Sequence, residues 1–206
     1  MTTMEAIPTA GVTLAGDLTV PQEVAGAVVF AHAGPNDLIP RTPQITAALD
    51  DAGFATLSLD LIDSGALEPE SVFDVELLAP RLEAATRWLH ARTGLPVAYL
   101  GVGTAASAAL WAAGDENADV LAVVALGSWP DLAASHLARV TAPTLLVVGG
   151  ADGHVLDLNR AALDGLPACE HELAVVPGAT HLFEQAGALE QATDLTVGWL
   201  TRHLSK

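Results

Sequence analysis

Apolar residues along this chain gather into short β-rich runs separated by stretches of helical period. The runs are GVTLAGDLTV, AGAVVFAH, FATLSLDL, PVAYLGV, VLAVVALG, PTLLVVGG and HELAVVPG. The five from AGAVVFAH to PTLLVVGG are almost continuous in hydrophobicity, the pattern of parallel strands covered on both faces. Between them, Ile45, Ala48, Leu49 and Ala52 recur at i, i+3, i+4, i+7, with Gly53 placed to end that helix. Leu78, Leu82, Ala85 and Leu89 make a second stripe that stops near Gly94, and Pro80 inside it predicts a late start or a kink. Ala192, Leu195 and Trp199 mark a C-terminal helix.

Strands alternating with helices predict a three-layer α/β sandwich: a mostly parallel twisted sheet with helices on both faces. With 206 residues and no repeat or low-complexity linker, the expectation is a single domain over 1–206. No apolar run reaches the roughly 18 residues of a membrane helix. The start, MTTMEAIPTAGVTLAG, has neither a basic opening nor a long apolar stretch, so the expected location is cytoplasmic.

Charge narrows the partners. Eight lysines and arginines stand against 25 aspartates and glutamates, a formal net charge of -17. A surface this acidic is expected to repel nucleic acid and anionic lipid and to favour solubility; a small-molecule substrate or ligand is the expected partner. Cys169 is the lone cysteine, so no disulfide framework or thiolate cluster is available. The histidines lack metal-ligand spacing, and no glycine loop has the phosphate-binding G-x-x-x-x-G-K form. Neither a metal nor another cofactor is indicated, and oligomeric state is not encoded legibly.

Sites in such sheets lie beyond the carboxyl ends of the strands. The residues there are His32-Ala33-Gly34, Asp60, Gly103-Thr104, Ser128-Trp129, Asp152 and His181. YLGVGTAASAALWAAG has the shape of a strand, a sharp glycine turn and a helix. An acid in VVGGADGHV and a histidine in VPGATHLFE follow it, which is the nucleophile, acid, histidine order of α/β-hydrolases. Together with AVVFAHAG, FDVELLAPRLEAATRWL, APTLLVVGG and LNRAAL, these fragments resemble the dienelactone-hydrolase-like α/β-hydrolases over roughly residues 20 to 204.

That resemblance implies a minimal α/β-hydrolase fold without a large lid, acting on small esters, lactones or related acyl compounds. It implies Asp152 as the orienting acid and His181 as the general base. The oxyanion donors would be the N–H of Thr104 and that of Ala33 or Gly34. The nucleophile position falls on Gly103. Two further departures are Ala105 at the last elbow glycine and a short AGPNDLIP loop after His32.

Glycine supplies no oxygen or sulfur nucleophile, so the ordinary acyl-serine mechanism is excluded for this sequence. It does relax an elbow that is strained with any other residue. Ser107, one turn into the helix, is expected to bond back to the Gly103 carbonyl, and Cys169 lies at the wrong end of the sheet. What remains is an imidazole and a carboxylate beside a small void. That pair could activate water or take a proton from a substrate.

Other candidates carry two readings each. His32 either lines the pocket or is a packed histidine holding its loop; His154 either lines the pocket or is a solvated loop residue. Trp129 and Phe183 either wall an apolar pocket or pack in the core. Asp60 is expected to end a strand and cap a turn. Three functions stay open: a general-base enzyme using the His181–Asp152 pair, a non-catalytic relative that binds a ligand or partner, and an ester or lactone hydrolase whose serine has been replaced by Gly103.

Overall fold

The apolar runs become strands and the periodic stretches become helices in the computed structural model, which describes residues 2–9, 11–34, 42–62 and 72–204. The chain begins with β1 (Thr2–Pro8), β2 (Thr13–Thr19) and β3 (Gly26–His32). It continues through α1 (Thr42–Asp51), β4 (Phe54–Asp60), α2 (Val75–Thr93), β5 (Val97–Val102) and α3 (Thr104–Ala113). Then come β6 (Val123–Leu126), a 3-10 turn (Pro130–Ala133), α4 (Ala134–Leu137), β7 (Thr144–Gly149), α5 (Gly153–Leu163), β8 (His171–Val176) and α6 (Ala188–Leu204).

The strands form one sheet in the order β1-β2-β4-β3-β5-β6-β7-β8. Every neighbouring pair from β4 to β8 is parallel, whereas β1 with β2 and β2 with β4 run antiparallel. Side chains divide by parity. Ala27, Val29 and Ala31 of β3 join the core that includes Leu78, Leu82 and Leu89 of α2 and the alanines of α3. Val28 and Phe30 face the other core, closed by Ile45 and Leu49 of α1 and by Ala192, Trp199 and Leu200 of α6. Every residue of β3, β5, β6 and β7 is buried, the burial that continuous hydrophobicity demands. This is the three-layer α/β-hydrolase architecture.

Two expectations need correction. β1 has no counterpart among the apolar runs, because Ile7 is its only buried residue and an edge strand of this kind shows no alternation. Pro80 does not delay the start of its helix, which runs through it from Val75 to Thr93. α2 starts at Val75, where the Asp74 carboxylate accepts from Leu77 N–H at 3.1 Å. The missing N–H of Pro80 leaves the Glu76 carbonyl without its helical partner; both residues lie on the exposed face, within reach of solvent. Gly94 ends the helix at φ 67° as expected. Among the described residues no helix is long and apolar enough to cross a membrane.

Candidate active site

The turn after β5 is built by three small residues with different duties. A Cβ on Gly101 would come within 2.5 Å of Ala106 Cα, so the strand can meet its own helix only with hydrogen there. Gly103 takes φ 57°, ψ -122°, a conformation that L side chains rarely adopt. Among the described residues, its chain neighbours aside, no atom lies within 4 Å of the place its Cβ would occupy. Ala105 is fully buried and fills the position of the last elbow glycine without disturbing the turn. Thr104 opens α3; the first amides of a helix have no partner inside it and face outward at the turn.

The acid and the imidazole come from neighbouring loops stitched together through their backbones. Gly149 ends β7, and a Cβ there would lie 2.4 Å from the Ala179 carbonyl oxygen, so glycine admits the loop after β8. Ala151 N–H then donates to Ala179 O at 2.8 Å, and Gly150 N–H to Val176 O at 2.8 Å. Asp152 occupies the N-cap position of α5, yet its side chain makes no cap hydrogen bond. Its Oδ2 instead lies 2.8 Å from His181 Nδ1. A carboxylate only accepts, so Nδ1 is the protonated nitrogen of the neutral ring and Nε2 is left as the acceptor.

The imidazole rests on Gly127, where a Cβ would stand 3.2 Å from His181 Cε1. Gly127 follows Leu126, whose carbonyl accepts from Gly103 N–H at 2.9 Å. The elbow's anchor and the ring's platform are therefore consecutive residues at the end of β6. The His181 side chain is 39% exposed, which leaves the ring open to a small molecule.

Behind the site, polar side chains hold the connecting turns. The Ser107 hydroxyl does not bond back to the Gly103 carbonyl, which accepts from the Ser107 N–H instead. Its Oγ donates to Trp129 O at 2.9 Å and accepts from Trp129 N–H at 3.0 Å. Trp129 lies after β6, where a buried hydroxyl can meet both backbone groups at once. Ser128 Oγ donates to Asn159 Oδ1 at 2.7 Å, and Asn159 Nδ2 donates to the carbonyls of Ser128 and Val155, each at 2.8 Å. Sequence reasoning missed Asn159. The one signal was an amide side chain inside the apolar stripe of α5, a position that calls for a buried partner.

Asp60 ends β4 and caps a turn as expected: its Oδ1 accepts from Ile62 N–H at 2.8 Å. It also accepts from Gly34 N–H at 2.9 Å. That commits the Gly34 amide to a carboxylate and removes it from the pair of candidate oxyanion donors beside Thr104, leaving Ala33. Phe183 is 2% exposed and belongs to the core with α6, so packing decides it and not a pocket wall. It is the one non-glycine residue with positive φ (51°) among the described residues, held there two positions after His181.

His154 is exposed in the first turn of α5, edge-on to half-buried Trp129 at 5.8 Å between ring centroids. These two flank the Asp152 side of the site. His32 is 5% exposed and packed on Phe30 at 4.5 Å, and burial pushes its pKa down to about 4. Cys169 lies near Thr144, the first residue of β7, at the opposite edge of the sheet. Most of the AGPNDLIP loop after His32 lies outside the described residues. Among the described residues no cluster of three or more His, Cys, Asp or Glu side chains is arranged to hold a metal ion.

No family model matches the chain. Two curated proteins from strains of Mycobacterium tuberculosis, each named "Putative phosphoribosyl transferase", are 48% identical over 203 residues, 94% of this chain and 44% of theirs. The chain thus spans less than half the length of the curated relatives it matches. A crystal structure of a dienelactone hydrolase from Anabaena variabilis is 39% identical, with a TM-score of 0.92 over 99% of this chain and 98% of that one. An alpha-beta serine hydrolase homologue from Coxiella burnetii shares the fold at 20% identity, with a TM-score of 0.79 over 95% and 96%. Est1E from Butyrivibrio proteoclasticus does so at 15%, with a TM-score of 0.78 over 96% and 99%. Elbow, strand order and near-complete overlap at 39% identity agree: this chain belongs to the dienelactone hydrolase family of α/β-hydrolases.

Proposed function

We propose that the chain is a small-molecule enzyme in which His181, oriented by Asp152, acts as a general base above Gly103 without forming an acyl-enzyme. The observation that carries this reading is the 2.8 Å contact between His181 Nδ1 and Asp152 Oδ2. It is made by a carboxylate that forgoes the cap hydrogen bond open to it at the start of α5. A turn residue would cap; this one orients an imidazole.

On an ester or lactone, His181 Nε2 takes a proton from water as the hydroxide oxygen bonds to the acyl carbon. The carbonyl oxygen gains the negative charge beside the N–H groups of Thr104 and Ala33. The imidazolium then returns the proton to the leaving oxygen as its bond to the acyl carbon breaks. Asp152 stabilises the imidazolium throughout. The same base and donors would serve a lyase or isomerase, with the proton coming from carbon and the charge resting on an enolate.

A second reading is favoured by the lack, among the described residues, of any atom within 4 Å of where a Gly103 side chain would begin: the chain is an ester hydrolase scaffold in which glycine stands where serine acts. The transferase in the curated relatives' name belongs to proteins of which this chain covers 44%, and a base–acid pair of this kind gives no reason to transfer it.

The test compares the protein with His181→Ala and Gly103→Ser on a panel of activated esters and lactones. Turnover by the unaltered protein that vanishes in His181→Ala, with no acyl burst, is the expected result. Turnover that survives His181→Ala overturns the general-base reading. Turnover with a burst in Gly103→Ser alone supports the second.

A further inference from the structure

The antiparallel end of the sheet carries a polar face of its own. In β2, Leu14 and Leu18 point into one core, which turns Ala15, Asp17 and Thr19 to the other side. Ser58 and Asp60 of β4 and His32 of β3 lie on that side too, and Thr42 and Thr46 of α1 overhang it. Between them is a cavity of about 580 Å³, within the range of small-molecule sites. Neither Gly103, Asp152 nor His181 lines it.

His32 is the unusual group in this cavity. It is 5% exposed, and among the described residues its Nδ1 has no hydrogen-bond partner and its Nε2 has only long contacts. Those are to Thr42 Oγ1 at 3.4 Å and Ser58 Oγ at 3.5 Å. Buried polar groups are normally satisfied, and an imidazole left in this state costs stability unless something completes it. Burial also keeps the ring neutral near pH 7, so it offers one donor and one acceptor. Ser58 and Thr42 add hydroxyls, and Asp17 adds an exposed carboxylate that only accepts.

The described lining disfavours one class of ligand. Among its described residues there is no lysine or arginine, while Asp17 and Asp60 are both acidic, and these two carboxylates repel a phosphate or carboxylate. Met4, 80% exposed at the rim, gives an apolar surface for a ring or chain to lie on. A molecule that donates to Asp17, exchanges hydrogen bonds with Ser58 and His32, and carries an apolar face fits all of these demands.

We propose that this cavity on the β1-β2-β4 side of the sheet is a binding site for a neutral, hydroxyl-bearing small molecule of the sugar or polyol class, recognised by His32, Ser58 and Asp17.

The test uses D-ribose, myo-inositol and methyl β-D-glucoside as probes, with inorganic phosphate and acetate as anionic controls. Saturation-transfer NMR reads binding to the full chain, and nitrogen-15 imidazole shifts read which histidine responds. The expected result is binding of at least one polyol that moves the His32 ring resonances and leaves those of His181 in place. Asp17→Asn and Ser58→Ala, checked for unchanged melting, should each weaken that binding about tenfold, the scale of one hydrogen bond to a ligand. Asp17 is exposed, so Asp17→Asn carries the comparison even if Ser58→Ala unfolds. Binding of phosphate or acetate in place of polyols overturns the proposal. So does silence from all three polyols at 50 mM (roughly the weakest binding a specific pocket would give), or binding that both substitutions leave intact.

Discussion

Ser107 and Trp129 close a ring of two hydrogen bonds: the serine hydroxyl donates to the tryptophan carbonyl at 2.9 Å and accepts from its amide at 3.0 Å. The pair ties the first turn of α3 to the loop after β6, so the elbow and the wall beside Asp152 are positioned together. Ser107 is fully buried, and its loss would strand the Trp129 N–H. Ser107→Ala should therefore lower stability by about 1–3 kcal/mol in urea or thermal denaturation.

Gly101 and Gly103 should respond in opposite ways to an added methyl group. Gly103→Ala meets no atom of the described residues, so its cost is the backbone strain of positive φ, about 1–3 kcal/mol. Gly101→Ala drives a Cβ to 2.5 Å from the Ala106 backbone, and the strand must part from its helix. Soluble yield and melting temperature should show a folded, weakened Gly103→Ala and a misfolded or far less stable Gly101→Ala.

Asp152 separates function from stability. It supplies no cap hydrogen bond to α5, so Asp152→Ala should cost less than about 1 kcal/mol of stability. Any turnover that depends on His181 should fall by roughly 10²–10⁴-fold in the same variant, because the ring loses its orienting partner. Equal losses in both measurements would make Asp152 a structural residue.

His32 sets an acid limit. Its folded pKa is held down to about 4 by burial, against 6.5 for the ordinary side chain. Between these values the unfolded chain binds a proton that the folded one refuses. The stability is therefore complete above pH 6.5 and is lost as pH falls through 4, by about 3 kcal/mol in all. His32→Gln should flatten that part of the stability–pH curve, measured by denaturant titration from pH 7 to pH 4.

Asp60 holds two amides with one carboxylate oxygen, those of Gly34 and Ile62. Asp60→Ala should cost about 2 kcal/mol or more, as charge-assisted hydrogen bonds of this kind do. The loss would appear as faster amide exchange at residues 34 and 62.

How far the sequence could be read depended on how each residue is satisfied. β3 to β7 were legible because burial on both faces leaves a run of apolar letters. β1 was silent because the sheet needs only Ile7 from it. The dyad was legible because its partners each follow a strand, and strand ends converge. Ser107 and Asn159 were not, since their partners, Trp129 and Ser128, sit 22 and 31 residues away and local rules suggest bonds nearer by. Gly34 illustrates a further limit: its amide was a sound candidate donor until Asp60, 26 residues on, turned out to occupy it.

The stitching of the two loops has a mechanical consequence. Ala151 N–H to Ala179 O and Gly150 N–H to Val176 O make the segments that carry Asp152 and His181 a single stiff jaw. Its bearing against the rest of the site is the contact of the imidazole with Gly127. A displacement of either loop therefore pulls on the other, and the acid is coupled to the base through backbone as well as through its carboxylate.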